Sequence, residues 1–220
     1  MGVHSPAAEG LTIVPDRISS HLIKAQTIVE KRYPEIHEKW VRLYTALANL
    51  GAVSILRHQG DMRFDLLLRG LEDEFAARFR AGYDGEVHFE DDLQHTLTGY
   101  WLLATHDAVR LAVMTEAGKQ HPILPSLYQK LRLVRVALVK FQIAGDRGLV
   151  GGKSILLRRV GDGPEVPPER YAHPDRIEFH PVTVCDPDTG SIGWQVIDLA
   201  NDRTETYFRR QLADELLSFT

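Results

Sequence analysis

The stretch TGYWLLATHDAVRLAVM, residues 98–114, sets His106, Asp107 and Arg110 in an otherwise apolar run. An imidazole titrates near neutral pH, so a histidine beside a carboxylate is material for acid–base chemistry. His95 lies eleven residues before His106. On a helix that is about three turns, so the two share a face. Asp91 and Asp92 precede His95 by four and three residues, a spacing that suits a carboxylate–histidine metal site in a bundle. The Glu-x-x-His pair of di-iron bundles is not duplicated, however. Asp92 with His95 gives one approximate copy and no second follows. Adjacent residues on a helix point about 100° apart, so Asp107 does not complete a site with His106. No metal or other cofactor is expected.

Asp107 falls on the stripe Leu93, Leu97, Tyr100, Ala104, Asp107, Leu111 and Met114, which places it toward the core. An ionised carboxylate there must be paired or hydrogen-bonded. Arg110, three residues on, reaches it along the same helix. Arg135 reaches it from the next helix if the two pack antiparallel. Asp107, Arg110 and Arg135 are therefore expected to be buried polar residues with a structural role.

GDRGLVGGKS, residues 145–154, invites comparison with a phosphate-binding loop. That motif, G-x-x-x-x-G-K-[ST], requires its first glycine at position 147, which is Arg147; Gly148 comes one place late. The order is also wrong. Such a loop joins a strand to a helix, whereas the pattern here runs helix, loop, strand. The stretch reads as a helix stop followed by an entry into a sheet.

Its surroundings are basic. Residues 126–160 hold Lys130, Arg132, Arg135, Lys140, Arg147, Lys153, Arg158 and Arg159 against Asp146 alone, a net of +7. Residues 61–92 hold ten acids and four bases, a net of −6. The bland expectation is that these segments face one another or balance the surface. The functional alternative is an anion or nucleic-acid patch, with Lys153, Arg158, Arg159 and Arg147 as anion-binding candidates. Only Tyr128 and Phe141 are available there for base stacking, which argues against single-strand recognition. His173, His180 and Cys185 match no zinc spacing, and no Gly-x-Ser-x-Gly elbow occurs.

The elements that must position these residues follow from periodicity. Asp16 caps a helix to about Lys31 through Ile18, Leu22 and Val29. Pro34 opens a second, with Ile36, Trp40, Leu43, Leu47 and Leu50 in register. Gly60 and Asp61 read as a stop and a cap. A third helix then carries Met62, Leu66, Leu67, Leu71, Phe75 and Phe79 and ends before Gly82. A fourth runs from about Glu90 to Ala117, closed by Gly118. A fifth, from about Ser126 to Ala144, carries Leu127, Leu131, Val134, Leu138 and Phe141.

The pattern then changes. SILLRRV reads as a short strand and GDGPEVPPERYAHPD as loop. RIEFHPVTV is a strand whose phase breaks at Pro181, as at a bulge or edge. CDPDTGSIGW reads as a hairpin loop with Pro187 and Gly190 supplying the turn. SIGWQVIDL and RTETYFR are further strands, and Leu212, Leu216 and Leu217 mark a terminal amphipathic helix. The expected fold is α+β: an up-and-down bundle of about five helices over 16–147, then a small antiparallel sheet with a terminal helix over 148–220. Residues 1–15 form a flexible lead.

Composition narrows function by exclusion. The 220 residues are 44% hydrophobic and 25% charged with a net charge of −4, ordinary for a globular protein and unlike a polyanion binder. A lone cysteine, Cys185, forms no internal disulfide and fits a reducing compartment. The opening residues lack a signal-peptide pattern, and Pro6 occupies the place a myristoylation signal gives to Ser or Thr. No apolar run is long enough to span a bilayer. The reading is a cytoplasmic, non-catalytic interaction or regulatory protein that binds a protein partner or itself, not a membrane. A nucleic-acid or phosphorylated-ligand binder is the first alternative. An enzyme with a site between bundle and sheet, using His95, His106 or Asp107, is the second.

Overall fold

The computed structural model describes residues 31–51, 55–82, 89–140, 172–173, 176–177, 182–198 and 203–219. Among these, the helices are α1 (Pro34–Asn49), α2 (Ile55–Arg80), α3 (Phe89–Val113), α4 (Glu116–Lys119), α5 (Leu124–Lys140) and α6 (Arg209–Leu217). The strands are β1 (Ala172–His173), β2 (Arg176–Ile177), β3 (Val182–Cys185), β4 (Ile192–Asp198) and β5 (Arg203–Phe208). The fold is α+β, with helices first, an antiparallel sheet after them and a helix at the end. The helix expected over residues 16–31 lies outside the described residues except for Lys31, which is helical with Arg32.

Proline at the first turn starts α1, where its missing N–H costs no hydrogen bond. Trp40, Leu43 and Leu47 recur at helical spacing and are buried. In α5, Leu124, Leu127, Leu131, Val134 and Ala137 repeat the pattern. One hydrophobic cluster takes these residues together with Ile192, Trp194 and Val196 of β4 and Leu212, Ala213, Leu216 and Leu217 of α6. The bundle and the sheet thus share a core.

Gly60 does not stop a helix; α2 runs through it without a break. An internal glycine costs about 1 kcal/mol relative to alanine, too little to break a 26-residue helix packed on the core. Gly118 does not close α3 either. The long helix ends at Val113, and Thr115 caps the short α4 by accepting a hydrogen bond from the Gly118 amide at 3.0 Å. Gly118 is required because a Cβ there would stand 2.0 Å from the Ala112 carbonyl oxygen.

The three-stranded sheet has the order β3–β4–β5, antiparallel throughout, with Val182 opposite Gln195 and Trp194 opposite Tyr207. The run RIEFHPVTV divides: Arg176–Ile177 pair with Ala172–His173 in a separate two-stranded ladder, and Val182–Cys185 form an edge of the larger sheet. Ala172–His173 is therefore strand where a loop was expected. SILLRRV and the glycine loop lie outside the described residues.

The β3–β4 turn follows its expected chemistry. Asp186 accepts from the Asp188 amide at 3.1 Å and the Thr189 hydroxyl at 2.7 Å. Gly190 takes φ +69°, a left-handed conformation that favours glycine. The turn presses on the bundle. A Cβ on Gly190 would stand 2.0 Å from the Glu72 carbonyl oxygen, and Gln94 of α3 donates to the Gly190 carbonyl at 2.7 Å.

Two glycine-to-alanine substitutions should therefore move stability in opposite directions. Gly190→Ala should destabilise by at least about 2 kcal/mol, through strain and a backbone clash. Gly60→Ala, which meets nothing within 4 Å, should stabilise by about 0.5–1 kcal/mol. Urea midpoints of the two variants check both.

Candidate functional site

Most of the described ionisable groups in the interior gather between α2 and α6. Asp65, Arg69 and Glu72 follow at four and three residues, so α2 turns all three the same way. Arg209, the first residue of α6, enters between the two carboxylates. Its Nε donates to Glu72 Oε1 at 2.8 Å, its Nη2 to the other oxygen of that carboxylate, and its Nη1 to Asp65 Oδ1. Arg69 donates to Asp65 Oδ2 at 3.0 Å and to Asp214 Oδ1 of α6 at 2.6 Å. The Trp40 indole donates to Asp65 Oδ2 at 2.7 Å, and the Arg209 guanidinium lies 5.4 Å from the Trp101 ring.

Asp65, Glu72 and Arg209 are wholly buried and Arg69 nearly so. Two acids and two bases make the set neutral, the condition for burying such charges. Burial pushes the Asp65 carboxyl upward, yet the Arg209 and Arg69 guanidinium groups and the Trp40 and Arg69 hydrogen bonds hold it below the usual carboxylate range. Every carboxylate oxygen of Asp65 and Glu72 accepts from a fixed donor. Fixed and mutually neutralised, the four buried side chains of this network hold one another. Its role is to dock α6 on α2.

The network extends outward. Arg210 donates to Asp73 at 2.7 Å, and the Tyr33 hydroxyl donates to the same carboxylate at 2.5 Å. The Arg210 amide donates to the Ser191 hydroxyl at 2.9 Å, which ties the β3–β4 turn to the start of α6. Lys130 of α5 bonds both oxygens of Glu215, at 2.7 and 2.9 Å. Among the described residues, the acidic segment 61–92 is thus answered by α6, by its own arginines, including Arg78 with Asp91, and by Arg32, which pairs with Glu74. Lys130 pairs with α6 and not with that segment.

The residues singled out on α3 are placed differently from expectation. The buried positions are Gln94, Thr98, Trp101, Leu102, Thr105, His106, Val109 and Ala112. Most of that row is the expected stripe advanced by one residue. Asp107 is 34% exposed and Arg110 41%, so the assignment of both as buried is corrected. The cause is helix phase: Trp101 takes the inward position and carries Asp107 about 100° toward solvent. Asp107 keeps Arg110 at 3.7 Å and His106 at 3.4 Å. Arg135 is half-buried; its Nε is shielded and makes no hydrogen bond.

His106 is the buried member, with its ring 5.5 Å from that of Tyr128. Burial and the nearby Arg135 charge hold its imidazole below the usual histidine range, only partly opposed by Asp107. His95 is exposed, so the two histidines do not share a site. Among the described residues no three His, Cys, Asp or Glu side chains are grouped to hold a metal. Cys185 carries an exposed thiol. Partial desolvation, with the Asp186, Glu72 and Asp91 charges, pushes it up to about 11, so it stays protonated at neutral pH. Lys153, Arg158, Arg159, Arg147 and His180 lie outside the described residues, as do the side chains of Lys140 and His173.

The stripes expected to face inward from α2 and α3 divide: Met62 and Leu66 are buried, while other members turn outward and supply an outer apolar face. Leu67 is 41% exposed, Leu93 36%, Tyr100 58% and Leu103 37%. Phe64 and Leu71 are half-buried beside them. The Phe64 and Tyr100 rings stack at 6.3 Å, which joins the two rows. No family model, curated protein or solved structure matches this chain.

Two measurements test the polar interior. Arg209→Leu strands two buried carboxylates and should cost about 3–5 kcal/mol in urea unfolding. Arg209→Lys should recover only part, because an ammonium cannot span both carboxylates as the guanidinium fork does. His106, whose protonation the fold disfavours, should make stability fall as pH drops below 6.5, its ordinary value. His106→Gln should flatten that part of the profile when urea midpoints are followed from about pH 8 to about pH 5.

Proposed function

We propose that this chain is a non-catalytic interaction protein of the cytoplasm, which docks an amphipathic helix of a protein partner on the outer face of α2 and α3. The observation that carries the reading is the row of large apolar side chains turned to solvent there. Scattered exposed leucines are ordinary, whereas a contiguous apolar patch marks an interaction site. Two packed helices with axes about 8–10 Å apart leave a groove between them. Such a groove accepts a third helix through anchors at i, i+3, i+4 and i+7.

The polar groups favour the same reading. The buried charges are consumed in holding α6, and His95 and His106 stand apart. No described helix is long and apolar enough to cross a membrane. The free, protonated Cys185 thiol fits a reducing compartment.

A photo-reactive phenylalanine derivative placed at Leu103 in cells tests the proposal, with Thr204 of β5, which is exposed, as the control position. Protein adducts are expected from position 103 and not from 204. Tyr100→Asp, on a surface whose side chain is 58% exposed, should suppress them at least about tenfold, as loss of an aromatic anchor does, with unchanged thermal unfolding. Adducts that ignore Tyr100→Asp, or that join only copies of this chain, would overturn it.

A further inference from the structure

We propose that the stripe Tyr128, Arg132 and Arg135 of α5, with His106 of α3 against it, is a binding site for an oxyanion of the phosphoryl class. The site lies on the side of α3 turned to α5 and is independent of the docking face. Among the described residues, Arg69, Arg78, Arg110, Arg209 and Arg210 are the other arginines short of full exposure, and each pairs with a carboxylate. Arg132 and Arg135 are half-buried as well, yet no described carboxylate or other acceptor meets either. The Arg135 Nε–H is shielded without a partner. A desolvated guanidinium donor left unpaired is costly. The residue as a whole keeps part of its surface open, so a ligand need not enter the core to reach it.

Helix α5 turns these groups the same way. Arg132 follows Tyr128 by four residues and precedes Arg135 by three, so the three side chains share one face. Two guanidinium groups at that spacing repel. A phosphoryl dianion between them removes the repulsion and matches their charge, and planar guanidinium forks suit its oxygens. The His106 ring stands 5.5 Å from that of Tyr128, which brings α3 against the stripe. The charges that bear on His106 are Arg135 and, on its own helix, Asp107 and Arg110. Asp107 is engaged by Arg110 and His106, so it does not neutralise α5. Burial and the Arg135 charge oppose protonation of His106. An anion offsets that charge and lets the imidazole take a proton, which adds a further donor to the site.

The test titrates the full chain with sodium sulfate at constant ionic strength and follows the Arg132 and Arg135 Nε–H signals by NMR. Both signals should shift together and saturate, with sulfate and with inorganic phosphate. Arg132→Gln and Arg135→Gln should each weaken sulfate binding about tenfold, as loss of a charge-assisted hydrogen bond does. Lys39→Gln, at an exposed position of α1, should leave it unchanged. Arg135→Lys, which keeps the charge without the fork, should bind with intermediate affinity. In sulfate-free buffer neither glutamine variant should lose thermal stability, because each removes an unpaired charge. Sulfate does not titrate near neutral pH, so its binding should strengthen as pH falls from about 8 to about 6, and His106→Gln should remove that dependence. Phosphoserine that binds more tightly than inorganic phosphate would make the ligand a phosphorylated molecule; equal affinity would make it the free oxyanion. A linear, unsaturable response, an adventitious ion only, would overturn the proposal. So would sulfate binding that survives Arg135→Gln unchanged, or a loss of stability in that variant without sulfate, which would make Arg135 a structural residue.

Discussion

Everything in the second half of this fold depends on one guanidinium. Arg209 stands wholly buried between Asp65 and Glu72, and satisfies both with three donors. Either carboxylate in that interior without a counter-charge would be costly. The helix that carries the carboxylates and the helix that carries the arginine are therefore committed to each other. Trp40 and Trp101 close the site from α1 and α3, one by a hydrogen bond and the other with its ring. Four helices meet around this pair of acids. The β3–β4 turn is pulled into the same place by Gly190 against the Glu72 backbone, Gln94 on the Gly190 carbonyl and Ser191 on the Arg210 amide.

This arrangement explains how a chain of near-average composition divides its charge. The excess acid of α2 is not a solvated face. Part of it is structural and is neutralised by the two arginines that open α6. With the charged stripe of α2 turned inward beside Met62, Leu66 and Leu68, apolar residues off that face, Leu67 among them, lie outside. The apolar outer face and the ionic interior are two results of one choice of helix phase.

That choice was the part hardest to read in the sequence. α1, α5, α6, the β3–β4 hairpin and β5 were legible because each has one apolar face and clear punctuation. Pro34, the DPDTG turn and the Leu212–Leu216–Leu217 stripe leave no second solution. α2 and α3 each carry two candidate apolar faces. In α3, Leu93, Leu97, Tyr100 and Leu111 compete with Trp101, Leu102, Val109 and Ala112, and local periodicity cannot choose. In α2, Asp65, Arg69 and Glu72 look like an ordinary salt-bridged surface stripe. Only Arg209, 144 residues from Asp65, turns that stripe inward, and no pattern within a helical window contains it. The signal that existed was FRRQLADELL, a terminal amphipathic helix that begins with two adjacent arginines. His95 is exposed while His106 is buried, and the same phase leaves Asp107 partly exposed.

The distance between Asp65 and Arg209 along the chain also sets an order of events during synthesis. At about 5–20 residues per second, a ribosome takes roughly 7–30 s to travel from one to the other. For much of that interval Asp65 has Arg69 of its own helix as partner, while Glu72 lacks the Arg209 that holds it in the finished fold. Hydration of the unpaired Glu72 carboxylate opposes its burial until α6 is made. Completion waits for α6 to be translated. Arg209 is the last of the buried charges Asp65, Arg69, Glu72 and Arg209 to be synthesised, and the first residue of the helix that completes the core.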